Sequence, residues 1–90
     1  MKKTVITVVG KDSVGIIAKV CTYLAENNVN ILDISQTIVK GYFNMLMIAD
    51  TEKSTITFEE LALGLKNLGE ELGVQIKIQQ EAIFACMHRI

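Results

Sequence analysis

The segment from Gly10 to Gly15, Gly-Lys-Asp-Ser-Val-Gly, has the residue types best suited to chemistry in this 90-residue chain. It separates a β-branched run from a helical pattern, so we expect a loop that opens a helix. The first N–H groups of a helix lack intrahelical partners and carry the positive end of its dipole, which suits a carboxylate or a phosphate. The negative charge of Asp12 would repel phosphate but could accept from an α-ammonium group. The loop therefore favours a zwitterion, that is, an amino acid.

The same loop has a purely structural interpretation. Asp12 or Ser13 can cap the following helix, which is the usual role of these residue types at such a position. Gly10 would permit a tight turn, and Gly15 would let the helix start lie close to whatever occupies the loop. On residue types alone, capping is the commoner role, so the ligand interpretation needs support from elsewhere in the chain.

The rest of the sequence offers little other chemistry. Cys21 and Cys86 make neither a disulfide scaffold nor a metal cluster, and His88 is the single histidine. No Ser/His/Asp or paired-carboxylate arrangement is visible, so we expect a protein that is not an enzyme, with no cofactor and no metal site. With 9 Lys+Arg against 10 Asp+Glu, the net charge of −1 gives direct nucleic-acid binding little support. No apolar run approaches the length of a membrane span, so no membrane association is expected.

The first half of the chain predicts a strand, a helix and a hairpin. Residues 4–9 are mostly β-branched, and Gly10 should end this strand. Residues 29–39 and 42–50 should pair across a turn at Lys40-Gly41. The expected buried stripe of the first helix follows helical spacing and comprises Ile17, Val20, Cys21, Leu24 and Ala25, with Tyr23 on the opposite side.

The second half predicts another helix and a last strand. Thr57 and Glu60 have the spacing of a capping box, and Gly73 is placed to end the helix. Residues 74–79 alternate between apolar and polar, as in a strand with one solvated face. The apolar stripe of this helix comprises Phe58, Leu61, Leu65, Leu68 and Leu72.

The element order is therefore β-α-β-β-α-β. We expect one α+β domain over residues 1–90, a ferredoxin-like sandwich with a four-stranded antiparallel sheet and both helices on one face. Residues 81–90 form a short C-terminal tail, predicted to be helical. Because this fold supports unrelated activities, function must be argued from the site.

Two segments together resemble the signature of the ACT domain family. The family pattern G-x-D/N-x-P-G-[IV] is similar to residues 10–16, and its G-V-N-I pattern is similar to residues 28–31. Val14 stands where the family usually has Pro, and Asn28 where it usually has Gly. The chain looks most like short single-domain bacterial ACT proteins and is more distantly similar to the transcriptional repressor of the glycine cleavage system.

This resemblance implies a regulatory module that binds amino acids and controls an enzyme or a regulator. In many family members the effector lies across a subunit interface. We therefore expect a cytoplasmic homodimer that binds a small amino acid-like effector; the alternative is a docking module that keeps the dimer but has lost the pocket. The ligand-binding residues carried over to this chain are Gly10, Asp12, Ser13, Val14, Gly15 and Asn30.

The pattern of apolar residues also predicts association. The first and third predicted strands are apolar on both faces, and two helices can cover only one face of a sheet. The other face needs either the C-terminal tail or a second subunit. The predicted strand 29–39 is also long for an edge strand, and long edges invite pairing. In the tail, the apolar residues that recur near helical spacing are Ile83, Phe84, Met87 and Ile90.

Overall fold

A computed structural model describes residues 2–11 and 14–80 of the chain. The observed elements confirm the predicted order and fold class. They are β1 (Lys3–Lys11), α1 (Ile16–Glu26), β2 (Asn30–Val39), β3 (Tyr42–Asp50), α2 (Phe58–Leu72) and β4 (Val74–Gln80). The predictions for residues 81–90 lie outside the described part of the chain.

The four strands form one antiparallel sheet in the order β2-β3-β1-β4. The central strands β3 and β1 are therefore paired on both sides, while β2 and β4 are the edges. In the register, Ile6 of β1 lies between Met47 of β3 and Ile78 of β4. Since directly paired residues point to the same face, the register sorts the paired strand residues onto one of two faces.

One face of the sheet carries the core. Ile6, Val8 and Met47 are fully buried in a single cluster that also contains Val20 of α1 and Leu65 of α2. Both helices thus pack on this face, as the sequence predicts. α1 lies towards β2, and α2 lies towards β4.

The face away from the helices, called the open face below, is partly apolar. Along β1 and β3 it carries Val5, Val9, Leu46 and Ile48, which the register places opposite the core residues. On β4 its residues are polar, represented by Lys77. The expectation of two-sided apolar character in the central strands is confirmed.

Gly10 lies within β1 and does not end it, so this prediction was wrong. It pairs with Phe43 on one side and Val74 on the other. A Cβ at Gly10 would approach backbone and side-chain atoms of Val74 to 2.7–2.9 Å, closer than real Cβ contacts. The glycine is needed because β4 begins against it, and the chain turns only after Lys11.

The buried side of α1 is rotated relative to the prediction. Ile16, Val20 and Leu24 form the buried row, whereas Ala25 is exposed. Tyr23 packs against the core, although the spacing places it on the polar side. Its hydroxyl reaches α2 at Gly64, in the space that a side chain at that position would occupy.

The ends of α2 and the hairpin turn are set by residues close to them in sequence. The Thr57 hydroxyl accepts from the Glu60 N–H at 3.1 Å, and the Glu60 carboxylate accepts from the Thr57 N–H at 3.0 Å, so the predicted capping box is confirmed. Gly73 ends α2 with a φ of 76°. The hairpin turns at Lys40 and Gly41, both with positive φ, as in a type I′ turn.

Candidate ligand-binding site

The N-cap position of α1 is Gly15, with a φ of 90°, and within residues 2–11 and 14–80 no side chain makes a capping hydrogen bond there. Gly15 therefore occupies the N-cap position. The predicted capping by the side chains of Asp12 and Ser13 lies outside the described residues.

The first turn of α1 is consequently well suited to an anion. The Lys19 N–H donates to the Gly15 carbonyl at 3.0 Å and makes the first turn of the helix. The N–H groups of residues 16–18 precede this bond and have no partner within the helix. The first turn contains no acidic residue that would repel an anion. Val14, next to this turn, is fully exposed.

Asn30 lies at the opposite end of the sheet from this loop. It pairs with Asp50, which pairs with Lys3 at the beginning of β1, whereas the loop follows Lys11 at the end of β1. β1 has nine residues, about 27 Å at the usual rise of a strand. The register also assigns Asn30 to the open face. One chain therefore brings Gly10, Val14 and Gly15 to the same end but does not bring Asn30 to them.

Comparison with known proteins shows which protein family has this loop and this fold. The family model of the ACT domain matches residues 2–79. The chain belongs to the ACT domain family. The members of this family are regulatory ligand-binding modules, and the resemblance seen in the sequence is confirmed.

Individual relatives extend the match over the entire chain. A UPF0237 protein of Bifidobacterium longum is 57% identical over 90 residues, which is 100% of both chains. The structure of an ACT domain protein from Streptococcus pneumoniae is 42% identical, with a TM-score of 0.81 over 92% of this chain and 93% of that one. A putative glycine cleavage system transcriptional repressor shares the fold at 24% identity, with a TM-score of 0.75 over 88% of this chain and 45% of that one.

A cavity of about 600 Å³ lies at the other end of this ACT domain, where the sequence predicted only a connection. It is bordered by Lys2, Thr4, Thr57 and Leu61, among others. The hydroxyls of Thr4 and Thr51 are 3.0 Å apart and hydrogen-bond each other at its wall. The run of Ser and Thr between β3 and α2 is visible in the sequence. Only the fold shows that this connection packs against β1.

The polar groups at the cavity end already serve the fold. The Asp50 carboxylate accepts from the backbone N–H groups of Glu52 and Lys2, and these bonds lower the pKa of that carboxyl group. Hydrogen bonds from the backbone and side chain of Thr57 likewise lower the pKa of Glu60. The carboxylates of Asp50 and Glu60 are therefore already hydrogen-bonded to the backbone at this end of the fold.

Other kinds of site are not found in residues 2–11 and 14–80. Within these ranges no three His, Cys, Asp or Glu residues are grouped so that they could hold a metal ion. Burial raises the pKa of the half-buried Cys21 thiol, which disfavours the reactive thiolate. None of the helices in these ranges is both long and apolar enough to cross a membrane.

Proposed function

We propose that this ACT domain is a non-enzymatic regulatory module that binds a small amino acid-like effector at the interface of a cytoplasmic homodimer. The observation that carries this proposal is the start of α1, where the family's ligand loop leads into a helix whose N-cap position is Gly15 and whose first turn has no acidic residue. Its N–H groups would hold the effector's carboxylate.

The other end of the effector needs negative or neutral acceptors. The Asp12 carboxylate is two residues before the exposed Val14 and would accept from the α-ammonium group. Val14 has an N–H that the usual Pro lacks, which adds a donor beside the carboxylate. A zwitterion would thus be neutralised at both ends by groups adjacent in sequence.

Asn30 would be supplied by the second subunit. Because about 27 Å of strand separates it from the loop within one chain, one effector can contact both only if they come from different copies. When two identical strands pair in antiparallel fashion over their full length, the first residue of one lies opposite the last residue of the other. Pairing through β2 would place the partner's Asn30 beside Val39, at the same end of the sheet as the loop.

The surface of β2 supports this assembly. It is a ten-residue edge strand, exposed from Leu32 onwards. Ile34 and Ile38, which lie on the face that carries the helices, are exposed because neither helix covers this edge. Edge pairing would satisfy the free backbone groups of β2 and bury these side chains.

The same surface favours the alternative function, a docking module without an effector. Ile38, Val39 and Tyr42 are exposed together at the hairpin end, where an enzyme or a regulatory protein could bind by adding a strand or by covering the apolar side chains. In this alternative the dimer or the docking surface remains, but the α1 loop has no ligand.

A thermal-shift screen against the twenty amino acids separates the two functions. A ligand at 100 times its Kd stabilises the folded state by about 2.7 kcal/mol, or roughly 10–20 °C in Tm for a domain this small. Titration calorimetry would follow with the best hit and the Asp12→Ala variant, with Glu70→Ala on exposed α2 as the matched control. The effector proposal predicts loss of binding only in Asp12→Ala. No hit at millimolar concentrations would favour docking.

Sedimentation tests the subunit arrangement. The wild-type chain should be a dimer at micromolar concentration, and Ile38→Asp should shift it towards monomer because a charge would be buried at the paired edge. Leu63→Asp, on the exposed side of α2, is the control and should leave the dimer intact. A wild-type monomer would contradict the proposed interface.

A further inference from the structure

A β-bulge divides the edge strand β2 into two unequal parts. The register with β3 shifts between Ile31 and Asp33, so Leu32 is an extra residue on the β2 side. A bulge bends its strand and interrupts the regular alternation of backbone groups, and it can end strand pairing. Regular pairing of another strand with the free edge of β2 is therefore confined to residues 33–39, called the edge segment below.

The apolar side chains of the edge segment are arranged symmetrically about Gln36. Ile34 precedes Gln36 by two residues and Ile38 follows it by two, and the register with β3 places all three on the face that carries the helices. Ile34 is 39% exposed and Ile38 is 57% exposed, although folded proteins usually bury isoleucine. The edge segment thus presents one exposed isoleucine on each side of a polar centre.

This symmetry selects one way of pairing two copies. Copies that pair edge to edge in antiparallel fashion are related by a two-fold axis perpendicular to the sheet, so their helices lie on the same side. Directly opposite residues then share a face, and the axis passes through one residue of β2. With the axis at Gln36, Ile34 of each copy lies opposite Ile38 of the other. An axis at Ser35 or Thr37 would instead place one of these isoleucines opposite Gln36.

The charged residues at the ends of the edge segment favour the same axis. Asp33 would lie opposite Val39 of the other copy, and Lys40 directly follows Val39 in the hairpin turn. Each Asp33 carboxylate would therefore be next to the Lys40 ammonium of the other copy, once at each end of the pairing. Opposite charges across a strand pair stabilise it. An axis at Ser35 would move Asp33 two residues further from this lysine.

The backbone at the start of the edge segment can accommodate this pairing without losing a hydrogen bond. The Ile34 N–H donates to the Asp33 carboxylate at 2.9 Å, so a side chain satisfies this donor in the single chain. On pairing, the Ile38 carbonyl of the other copy would accept from the same N–H, because directly opposite residues exchange backbone bonds. The Asp33 carboxylate would then be available to the Lys40 ammonium.

We propose that the edge segments of two copies pair in one register, with the two-fold axis at Gln36. This inference rests on the proposed homodimer and specifies which residues meet in it. The two Gln36 side chains would lie side by side between two isoleucine pairs, and their amide groups can hydrogen-bond each other. Asn30, which precedes the bulge, would lie beside the other copy's turn at Lys40 and Gly41, at the same end of the sheet as the α1 loop.

Single cysteines along β2 test this register in the full-length chain. Both natural cysteines, Cys21 and Cys86, are first replaced by serine. The variants compared in that background are Ser35→Cys, Gln36→Cys and Thr37→Cys. Under a mild oxidant, the rate at which each forms a disulfide-linked dimer is followed by electrophoresis without reductant.

The proposed axis brings only one of these three positions close to its own copy. The Cα atoms of the two residues at position 36 would be about 5.5 Å apart, within the range of a disulfide. At positions 35 and 37 the corresponding distance would be about 8 Å, which is too long. We therefore expect Gln36→Cys to cross-link roughly tenfold faster than Ser35→Cys and Thr37→Cys.

The same variants separate a wrong register from a wrong interface. Fastest cross-linking of Ser35→Cys or Thr37→Cys would overturn the register and leave pairing through β2 intact. The control for random collision is Glu70→Cys on the exposed side of α2. If none of the three β2 variants cross-links faster than this control, both the register and the proposed β2 interface are overturned.

A charge exchange tests the contact between Asp33 and Lys40 without a cross-link. Asp33→Lys and Lys40→Asp each place like charges together in their own homodimer, whereas a mixture of the two variants restores opposite charges at both ends. Asp tolerates the positive φ of Lys40.

Sedimentation equilibrium measures dimer formation in the separate and mixed samples. We expect each variant alone to dimerise several-fold more weakly than wild type and the mixture to recover as a heterodimer. Lys66→Asp on the exposed side of α2 is the matched control and should give no recovery when mixed with Asp33→Lys. A mixture of Asp33→Lys and Lys40→Asp that dimerises no better than the separate variants would contradict the proposed register.

Discussion

The two helices of this ACT domain begin in opposite ways. α2 starts at Thr57 with a complete capping box and has Glu59 and Glu60 in its first turn. α1 has Gly15 at its N-cap position and no acidic residue in its first turn. Both helix starts carry the same partial positive charge, but among the described residues only the start of α2 has side chains that neutralise it.

This difference indicates which helix start is available to an effector. At α2 an incoming carboxylate would compete with the Thr57 hydroxyl and meet two negative side chains. At α1 it would meet N–H groups that have no partner within the helix and the exposed Val14. Gly at an N-cap position costs a helix only about a few tenths of a kcal/mol relative to a capping side chain, so a helix start of this kind costs the fold little stability.

The largest expected effect is at the strand that leads into α1. Gly10→Ala places a Cβ against Val74, which should force β1 and β4 apart and lower the free energy of unfolding by about 1–3 kcal/mol. Chemical denaturation measures the loss. The control is Gly41→Asn, where no atom lies within 4 Å of the added Cβ and Asn tolerates the positive φ. Equal stability of Gly10→Ala and wild type would contradict the close approach of β4.

The second prediction concerns a substitution that makes the first turn of α1 resemble the first turn of α2. Ala18 is exposed and occupies the position in α1 that Glu60 occupies in α2. Ala18→Glu should weaken binding of a carboxylate effector by roughly tenfold, about 1.4 kcal/mol, because its negative charge lies at the proposed anion site. Calorimetry with the best screening hit measures the change. Ala18→Gln, of similar shape without the charge, should bind nearly as well as wild type; equal weakening by both would exclude an electrostatic cause.

The third prediction concerns a substitution that removes the N-terminal cap of α2. Thr57→Ala should destabilise the fold by about 1 kcal/mol because the Glu60 N–H loses its acceptor. Thr57→Ser keeps the hydroxyl and should retain most of the stability. Effector affinity should remain unchanged in both variants, because the proposed site is at the other helix. A larger effect on affinity than on stability would place the ligand at α2.

The smallest expected effect is a pH dependence confined to the α2 end. The hydrogen bonds from Thr57 lower the pKa of Glu60 in the folded state. The stability they contribute is therefore present above the unfolded pKa and disappears as pH falls through the folded pKa. Denaturation between pH 7 and pH 3 should show wild type losing its advantage over Glu60→Gln as the pH falls. A constant difference would contradict this assignment.

The sequence predicted α2 and the hairpin accurately because their signals are local. A capping box, a leucine stripe and a terminal glycine depend on residues within a few turns of each other. The end of β1 was not predictable in this way. Gly10 commonly marks a turn, and only the approach of Val74, more than sixty positions later in the chain, explains why it lies in a strand.

The candidate site divides in the same manner. The spacing around Gly15 located the loop and the helix start, but which residue occupies the N-cap position depends on where the helix begins. The distance between Asn30 and the loop follows from strand register, which residue types do not specify. A family motif can thus group residues as one predicted site without showing that a single chain keeps them apart.

The contact between Tyr23 and Gly64 has a practical consequence for measuring these effects. The chain contains no tryptophan and two tyrosines. Tyr42 is exposed on the hairpin, whereas Tyr23 lies between the helices. In a Tyr42→Phe variant, the fluorescence emission comes from Tyr23 alone. The protein thereby carries its own optical probe, whose signal follows the separation of α1 from α2 without an added dye.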